Sequence, residues 1–256
     1  MATTAREQGR RVALVAGLRT PFLKAGGGFA GATAVELGTA VTAGLLRSAG
    51  VEPSQVDLLV FGQVLPSPLA TFVAREVALR SGLPARVEAH TVSRACATGI
   101  QALTSAIEAL ERGHGEVAIA GGTECLSDVP LFCSRPLTRA LTRLSRAKSL
   151  GARLSALASI RLRDLAPEPP ALAEPSTGLS MGESAEKMAR DWGVGRQEQD
   201  LLALESHRRA HAAREAGRFE GEVMPTALGP GGASLEADDL IRADASLERL
   251  AALRPV

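Results

Sequence analysis

The sequence has very few aromatic residues and no excess of either charge. Six Phe, one Trp and no Tyr make up 3% of its 256 residues, so it lacks the stacking platforms on which proteins bind single-stranded nucleic acid. The 29 basic and 28 acidic residues give a formal net charge of +1, which provides no overall field for attracting a polyanion. We therefore expect no nucleic-acid partner.

Long apolar segments and paired cysteines are also missing. No apolar run approaches the roughly 18 residues of a transmembrane helix, and residues 1–11 are polar, without a signal-peptide core. The three cysteines, Cys96, Cys125 and Cys133, are too few for a disulfide framework. These absences predict a cytoplasmic protein with reduced cysteines. The length and the 45% apolar content allow one or two domains with a sizeable core.

The first half of the chain alternates between strand and helix patterns. Compact apolar runs that predict strands lie at 11–17, 56–64, 87–94 and 117–121. Apolar residues at helical spacing, with capping and stop residues, predict helices between them, opening at Thr33, near Thr71 and at Cys96. This alternation predicts an α/β fold with a doubly wound, mostly parallel sheet. The third helix carries no charge from Cys96 to Ile107, which predicts a helix buried between layers.

Cys96 lies in the segment Ser93-Arg-Ala-Cys-Ala-Thr-Gly99, where a strand gives way to that uncharged helix. The amino end of a helix carries partial positive charge and free N–H groups, which favour a thiolate. The small neighbours would let a substrate carbonyl approach closely. The pattern is therefore typical of a nucleophilic cysteine, and the alternative is an inert, buried cysteine.

Eight short motifs resemble those of the thiolase family in order and spacing. They are Arg19-Thr-Pro21, Phe61-Gly-Gln-Val64, Ser93-Arg-Ala-Cys-Ala-Thr-Gly99, Gly121-Gly-Thr-Glu124, Met181-Gly-Glu-Ser-Ala-Glu186, Glu198-Gln-Asp200, Ser206-His207 and Leu253-Arg-Pro255. Arg161-Leu-Arg-Asp-Leu165 and Ser176-Thr-Gly-Leu179 are similar to the subfamily of the fatty-acid β-oxidation complex. The resemblance extends from about Arg11 to Val256. It favours the interpretation of Cys96 as a nucleophile over that of an inert, buried cysteine.

The resemblance implies a particular domain organisation. Residues 1–122 correspond to the thiolase N-terminal α/β domain without its last strand, and residues 123–256 to a mainly helical loop domain that binds coenzyme A. The family's second half carries a Gly-His-Pro motif, an Asn-Glu-Ala-Phe motif and a Cys-x-Gly motif, and none of these occurs in the sequence. The expected C-terminal domain is therefore absent, and with it the activating histidine and the acid–base cysteine.

By the same resemblance, the reaction is thiolytic cleavage of a 3-ketoacyl-CoA by coenzyme A, with Cys96 as the acylated nucleophile. Arg242 matches the family's nucleotide contact, and Met181 matches a residue beside the pantetheine arm. Coenzyme A is a substrate, so no permanently bound cofactor or metal is implied. We expect this chain alone to be inactive. The alternative is a non-catalytic, truncated module that binds acyl-CoA or a partner subunit.

Two further features suggest partners or argue against other sites. Residues 135–163 contain eight Lys or Arg and no acid, which is typical of a surface for a membrane or a partner protein, or of an ordinary packed helix. The family resemblance implies a homodimer and a hydratase/dehydrogenase partner subunit. His207 and His211 have metal-ligand spacing, but they lie in a charged helix without a carboxylate pattern, so a solvated helix face is expected there.

Overall fold

The computed structural model describes residues 10–170, 173–228 and 232–255. Its strands are β1 (Leu58–Gly62), β2 (Glu88–Val92) and β3 (Ala118–Gly122), and its helices are α1 (Ala34–Ala49), α2 (Val73–Arg80), α3 (Thr98–Glu111), α4 (Arg135–Arg146), α5 (Leu150–Ala158), α6 (Met181–Asp191), α7 (Arg196–Glu215) and α8 (Leu247–Ala251). Short 3-10 helices span Pro53–Gln55 and Leu162–Leu165. The chain divides into two compact units.

The first unit consists of Met1–Asp128 and Leu201–Leu250 and contains a parallel sheet with the strand order β2-β1-β3. Leu58 of the central strand aligns with Glu88 on one side and with Ala118 on the other. All five residues of β1 are buried. Because parallel strands need crossover connections, α2 and α3 follow β1 and β2 in turn. The predicted α/β fold with a parallel sheet is confirmed.

Side chains of β1 alternate between two apolar layers. Leu59 and Phe61 pack in a cluster with residues of α1 and α2, such as Val35 and Val77. Leu58 and Val60 face the other way, against Ala102 and other residues of α3, as the period of two along a strand requires. The sheet is thus covered on both faces by helices.

The ends of α1 match the sequence signals. Thr33 and Glu36 form a capping box, in which the Thr33 hydroxyl accepts the Glu36 N–H and the Glu36 carboxylate accepts the Thr33 N–H. Gly50 ends the helix with φ of 63°, a left-handed conformation that glycine adopts without strain.

The predicted strand at 11–17 is wrong for the described chain. These residues form no ladder, and Leu14 and Val15 are 74% and 89% exposed. An apolar run becomes a strand only where its N–H and C=O groups meet those of a neighbour. No described segment pairs with residues 11–17, and the outer edge of β3 is likewise unpaired within the described residues.

One face of α3 is buried and the other is open. Ala102 and Ala106 pack against the sheet, whereas Ile100 and Thr104 are exposed. The helix begins at Thr98, two residues after Cys96. The outer face of α3 is uncharged, which is the pattern that predicted a helix buried between two layers. In the described structure only its inner face is buried, because no described residue covers Ile100.

The second unit consists of Val129–Asp200 with Ala251–Val256. It contains α4, α5 and α6 and the first residues of α7. Residues 201–250, predicted to belong to a loop domain at 123–256, are compact with the first unit. No helix in the described part of the chain is long and apolar enough to cross a membrane.

Candidate active site

Cys96 lies in a tight turn between β2 and α3. Ala95 has a φ of 44°, which is uncommon for a residue with a Cβ. The Thr98 hydroxyl braces this turn, because it accepts the Arg94 N–H at 2.7 Å and donates to the Ala95 carbonyl at 2.6 Å. The turn leaves the Cys96 side chain exposed.

Gly62 permits this arrangement at the end of β1. A Cβ added at Gly62 would lie 2.2 Å from Cγ2 of Thr98, which is far too close for two carbon atoms that are not bonded. The first turn of α3 can therefore pack directly on the end of the strand only because position 62 is glycine. Thr98 is buried as a result.

Cys96 borders an open cavity of about 1080 Å³ within the first unit. Much of its wall is apolar, with Leu18, Phe22, Leu37, Val41 and Phe61 among its residues. Concave, mostly apolar cavities of this kind are the usual sites for small ligands. A thiol at such a wall is placed to meet a bound electrophile.

Two buried polar side chains in the cavity wall have unused hydrogen-bonding atoms. Neither Oε1 of Gln63 nor Oγ1 of Thr42 has a partner among the described residues, and both residues line the cavity. A buried polar atom without a partner costs roughly 1–3 kcal/mol. The folded chain therefore carries this cost at two positions in the cavity wall.

The loop that follows β1 is held in place by Glu124. Its Oε2 atom accepts the N–H groups of Val64 and Leu65 at 2.8 and 3.2 Å. Because Glu124 follows β3, this contact joins the carboxyl ends of two neighbouring strands. The cavity lies at that edge of the sheet, where ligands of parallel α/β sheets are usually bound.

His207 also lines the cavity that holds Cys96. It is half-buried, and its Nδ1 atom lies 3.3 Å from the backbone N–H of Arg242, whose hydrogen it accepts. The expectation of a solvated face was therefore wrong for His207, because packing of α7 within the first unit covers it. Nothing in the local sequence distinguishes it from His211, which contacts Arg214 and Glu215 on its own helix.

Arg242 is exposed beside a second, smaller cavity of about 380 Å³. The two cavities share Lys24, Leu240 and Ile241 in their walls. Two carboxylates fix this loop to the segment after Arg19, since Asp238 accepts the Phe22 N–H at 2.7 Å and Asp239 accepts the Lys24 N–H at 2.9 Å.

Arg19 is the centre of that attachment. Its guanidinium binds Asp238 through two hydrogen bonds of 2.7 and 2.9 Å and Glu222 through one of 2.6 Å. It also lies 4.6 Å from the centre of the Phe22 ring and 5.5 Å from that of Phe219. Arg19 belongs to a motif that resembles the family, but its local sequence does not reveal these contacts.

The pKa of Asp238 is lowered by this network. Burial alone would raise it, but the hydrogen bonds from the Arg19 guanidinium and the Phe22 N–H outweigh burial and favour the carboxylate. The same contacts raise the pKa of Arg19, where the hydrogen bond to Asp238 is the largest cause. The pair is therefore ionised at neutral pH.

Of the remaining candidates, Cys125 also lines the Cys96 cavity, whereas Met181 and Cys133 do not. Met181 is the exposed first residue of α6 in the second unit. Cys125 is buried, and its thiol donates to the Ala32 carbonyl at 3.2 Å. Cys133 is exposed in the second unit. Among the described residues, no group of three His, Cys, Asp or Glu side chains could hold a metal ion.

The chain has a parallel α/β sheet, and an exposed cysteine lies at a strand-to-helix turn beside an apolar cavity. This arrangement is typical of enzymes that form a covalent thioester with their substrate. A family profile described as "Thiolase, N-terminal domain" matches residues 12–256. The chain therefore belongs to the thiolase family.

Named relatives agree with this assignment. The chain is 44% identical over 248 residues to a 3-ketoacyl-CoA thiolase of Yersinia enterocolitica and 46% identical over 249 residues to one of Alteromonas mediterranea, covering 97% of this chain and 57% of each relative. A crystal structure of Bacillus anthracis acetyl-CoA acetyltransferase superposes with a TM-score of 0.81 at 30% identity, covering 94% of this chain and 58% of that one. The chain thus spans little more than half the length of these relatives.

We expect Cys96 to be the most reactive of the three thiols in the folded chain. Cys96 and Cys133 are both exposed, and each lies two residues before a helix. The Ser134 side chain caps α4, whereas no side chain caps the amino end of α3, so more N–H groups are left to stabilise a thiolate at Cys96. Timed alkylation at neutral pH, followed by peptide mass spectrometry, measures the three rates. Buried Cys125 is the internal control for intact folding, and faster labelling of Cys133 than of Cys96 would refute the expectation.

Replacing Asp238 with asparagine should lower the free energy of unfolding at pH 7 by roughly 1.5–3 kcal/mol, because the charged hydrogen bonds to Arg19 are lost. Since the pKa of Asp238 is lowered on folding, its contribution is complete above the ordinary carboxyl pKa of 3.8 and declines as the pH falls below it. The difference between wild type and Asp238→Asn should therefore shrink below about pH 3.8.

Urea unfolding followed by circular dichroism at several pH values measures this effect. The matched control is Asp191→Asn, which removes an exposed carboxylate paired with Lys187 on α6 and should cost at most about 1 kcal/mol. Equal losses in the two variants at pH 7 would show that the Arg19 network contributes no special stability.

Proposed function

We propose that this chain carries the acyl-accepting part of a thiolase site and that Cys96 is its nucleophile. The observation that supports this most directly is the exposed Cys96 thiol at the wall of an apolar cavity, immediately before α3. The proposed reaction is cleavage of 3-ketoacyl-CoA by coenzyme A in fatty-acid β-oxidation. The named relatives, which are 3-ketoacyl-CoA thiolases, support this reaction class.

In the proposed first step, the Cys96 sulfur attacks the 3-keto carbon and forms a tetrahedral oxyanion. Its collapse breaks the bond between the second and third carbons, and the leaving carbanion takes a proton to become acetyl-CoA. In the second step, the thiol of coenzyme A loses its proton and attacks the acyl-Cys96 thioester. The shortened acyl-CoA leaves and the Cys96 thiolate is restored.

These steps need more groups than the chain is known to supply. A base, an acid and oxyanion donors are required, and each base or acid contributes about 10²–10⁴-fold to such a reaction, with about 10²–10³-fold from one oxyanion donor. The sequence has no Gly-His-Pro, Asn-Glu-Ala-Phe or Cys-x-Gly motif. We therefore propose that the chain by itself does not turn over. His207 is the histidine of this chain that shares the cavity with Cys96.

Coenzyme A is proposed as substrate, with Arg242 as a contact for its phosphates. The exposed guanidinium at a cavity that shares walls with the Cys96 cavity supports this role. Met181 is proposed as a contact for the pantetheine arm on the strength of the family resemblance. No step of the proposed chemistry uses a metal or a permanently bound cofactor. A homodimer is proposed on the same resemblance, and a cytoplasmic location is proposed because the three cysteines are free.

The alternative function is a non-catalytic module that binds acyl-CoA or a partner subunit. The uncovered apolar surfaces at 11–17 and on the outer face of α3 favour it. Both functions predict acyl-CoA binding. Only the first predicts covalent acylation of Cys96.

The purified chain should show no turnover above background with acetoacetyl-CoA and coenzyme A, measured as loss of the 3-ketoacyl absorbance. Prolonged incubation with acetoacetyl-CoA should still acylate Cys96, as detected by peptide mass spectrometry. Cys96→Ala should abolish this adduct and Cys133→Ala should retain it.

Each other outcome has a distinct meaning. Turnover at an ordinary enzymatic rate, lost in both Cys96→Ala and His207→Ala, would show that this chain supplies its own base. The absence of any Cys96 adduct, with acyl-CoA binding intact, would remove Cys96 as the nucleophile and support the binding module.

Arg242→Ala should weaken coenzyme A binding about tenfold, because one charge-assisted contact to phosphate is lost. Isothermal titration calorimetry with coenzyme A measures the change. Arg112→Ala is the matched control, since Arg112 is also exposed and lies just after α3. Equal affinities in the wild type and Arg242→Ala would remove Arg242 from the site.

A further inference from the structure

The loop that carries Arg242 has few attachments along its length. At its start, the carboxylates of Asp238 and Asp239 bind backbone N–H groups of the segment after Arg19. Leu240 and Ile241 follow and line both cavities. Neither of these two residues makes a backbone hydrogen bond to another described residue. The path of the loop beyond Asp239 therefore depends on what holds Arg242.

The attachment at Arg242 is made by a histidine of α7. Nδ1 of His207 accepts the hydrogen of the Arg242 backbone N–H at 3.3 Å. Both residues belong to the first unit, and His207 is half-buried in the wall of the Cys96 cavity. Because a backbone amide can only donate, Nδ1 is the unprotonated nitrogen, and the hydrogen of the neutral ring is on Nε2.

The backbone of Arg242 sets the place of its guanidinium. Arg242 is exposed at the smaller cavity. The hydrogen bonds described for this residue are both made by its backbone, the N–H to His207 and the carbonyl, which accepts the Ala245 N–H at 3.3 Å. A side chain that meets a ligand is held in a productive position through such supporting bonds. Loss of the His207 bond would therefore leave the guanidinium less well placed.

We propose that His207 is a positioning residue for coenzyme A, which holds the Arg242 backbone while its imidazole is neutral and releases it when the imidazole is protonated. A proton taken up from solvent at Nδ1 turns this acceptor into a donor, and two N–H groups then face each other. The inference rests on the proposed role of Arg242 as a phosphate contact. It predicts that affinity for coenzyme A falls as the pH falls.

The charged groups in the cavity wall around His207 have partners of their own. Besides His207, the titratable residues of this wall are Arg19, Lys24, Cys96, Glu124, Cys125 and Asp238. Of the two carboxylates, Asp238 binds Arg19, and Glu124 accepts the N–H groups of Val64 and Leu65. Cys125 donates to the Ala32 carbonyl. Both acids of this wall are thus already engaged.

The same holds for the loop and for α7. On the loop, Asp239 accepts the Lys24 N–H and Asp244 pairs with Arg249. On α7, Arg208 is exposed, and His211 contacts Arg214 and Glu215 one turn further along. Histidine is the side chain that ordinarily changes its charge between pH 5 and 8. Measurements at about pH 8 and about pH 5.5 therefore compare the two forms of the imidazole.

Isothermal titration calorimetry of the full chain with coenzyme A tests the proposal through two variants. His207→Asn keeps an acceptor, because Oδ1 of asparagine is as many bonds from the backbone as Nδ1 of histidine, but it does not titrate. His207→Leu has no acceptor. At about pH 8, His207→Asn should bind like the wild type, and His207→Leu should bind about threefold to tenfold more weakly, since one hydrogen bond is lost.

At about pH 5.5, the wild type should bind about threefold to tenfold more weakly than His207→Asn. The phosphate of coenzyme A also changes its charge in this range, so each affinity is divided by that of His207→Asn at the same pH. The matched control is His211→Asn, because the contacts of His211 lie within α7. This variant should keep the pH dependence of the wild type.

Hydrogen exchange measures the attachment without any ligand. At neutral pH, the peptide that contains Arg242 should exchange faster in His207→Leu than in the wild type, while His207→Asn should exchange like the wild type. Circular dichroism should give the same spectrum for all variants, since His207 is only half-buried. Unchanged exchange in His207→Leu would show that His207 does not hold the loop and would overturn the proposal.

The binding data separate the remaining outcomes. The same pH profile in the wild type and His207→Asn would overturn the proposal. So would tighter binding by the wild type than by His207→Asn at low pH, which would make the charged imidazole a direct phosphate contact. If Arg242→Ala weakens binding and His207→Leu does not, only the role of His207 fails. If Arg242→Ala has no effect, or coenzyme A does not bind at either pH, the proposed phosphate contact fails as well.

Discussion

The close approach of α3 to β1 determines where the candidate nucleophile lies. Gly62 leaves room for Thr98, and the Thr98 hydroxyl then braces the turn that carries Cys96. A larger residue at position 62 would push the start of α3 away from the strand. The exposure of Cys96 and its place at the cavity wall therefore depend on a missing Cβ and one hydroxyl group.

The second constraint is the attachment of a distant segment to the same edge of the sheet. Arg19 and two aspartates join residues 19–24 to the loop at 238–242 through a bidentate ion pair and backbone hydrogen bonds. This attachment and the packing of α7 place Arg242 and His207 near the cavity in which Cys96 lies. The candidate site is thus assembled from parts of the chain more than 100 residues apart.

The two units differ in how they are stabilised. In the first unit, apolar residues cluster on both faces of the sheet. No described residue of the second unit belongs to any of the buried apolar clusters. Its helices are held by local means, such as the hydroxyl of Ser134 capping α4 and the capping box of Ser180 and Glu183 at α6. Caps fix the ends of helices but bury little apolar area, and several large apolar side chains of this unit, such as Leu131 and Trp192, are exposed.

The sequence by itself determined the elements whose signals are local. Thr33, Glu36 and Gly50 bound α1. The strands β1 and β2 lie within the apolar runs that predicted them, and β3 extends one residue beyond its run. Cys96 could be selected from its small neighbours and its place before an uncharged helix. Those features depend on residues only a few positions apart, and their physical causes, capping, alternation and helix polarity, act over the same short distance.

Tertiary structure decided what depends on a partner elsewhere in the chain. Residues 11–17 have the composition of a strand, but they form none because no described segment offers them a ladder of hydrogen bonds. His207 and His211 occupy similar sequence surroundings, yet only His207 faces the cavity, because the surface on which α7 packs covers one side of that helix. Pairing and burial are properties of the folded neighbourhood, and a local sequence pattern does not contain them.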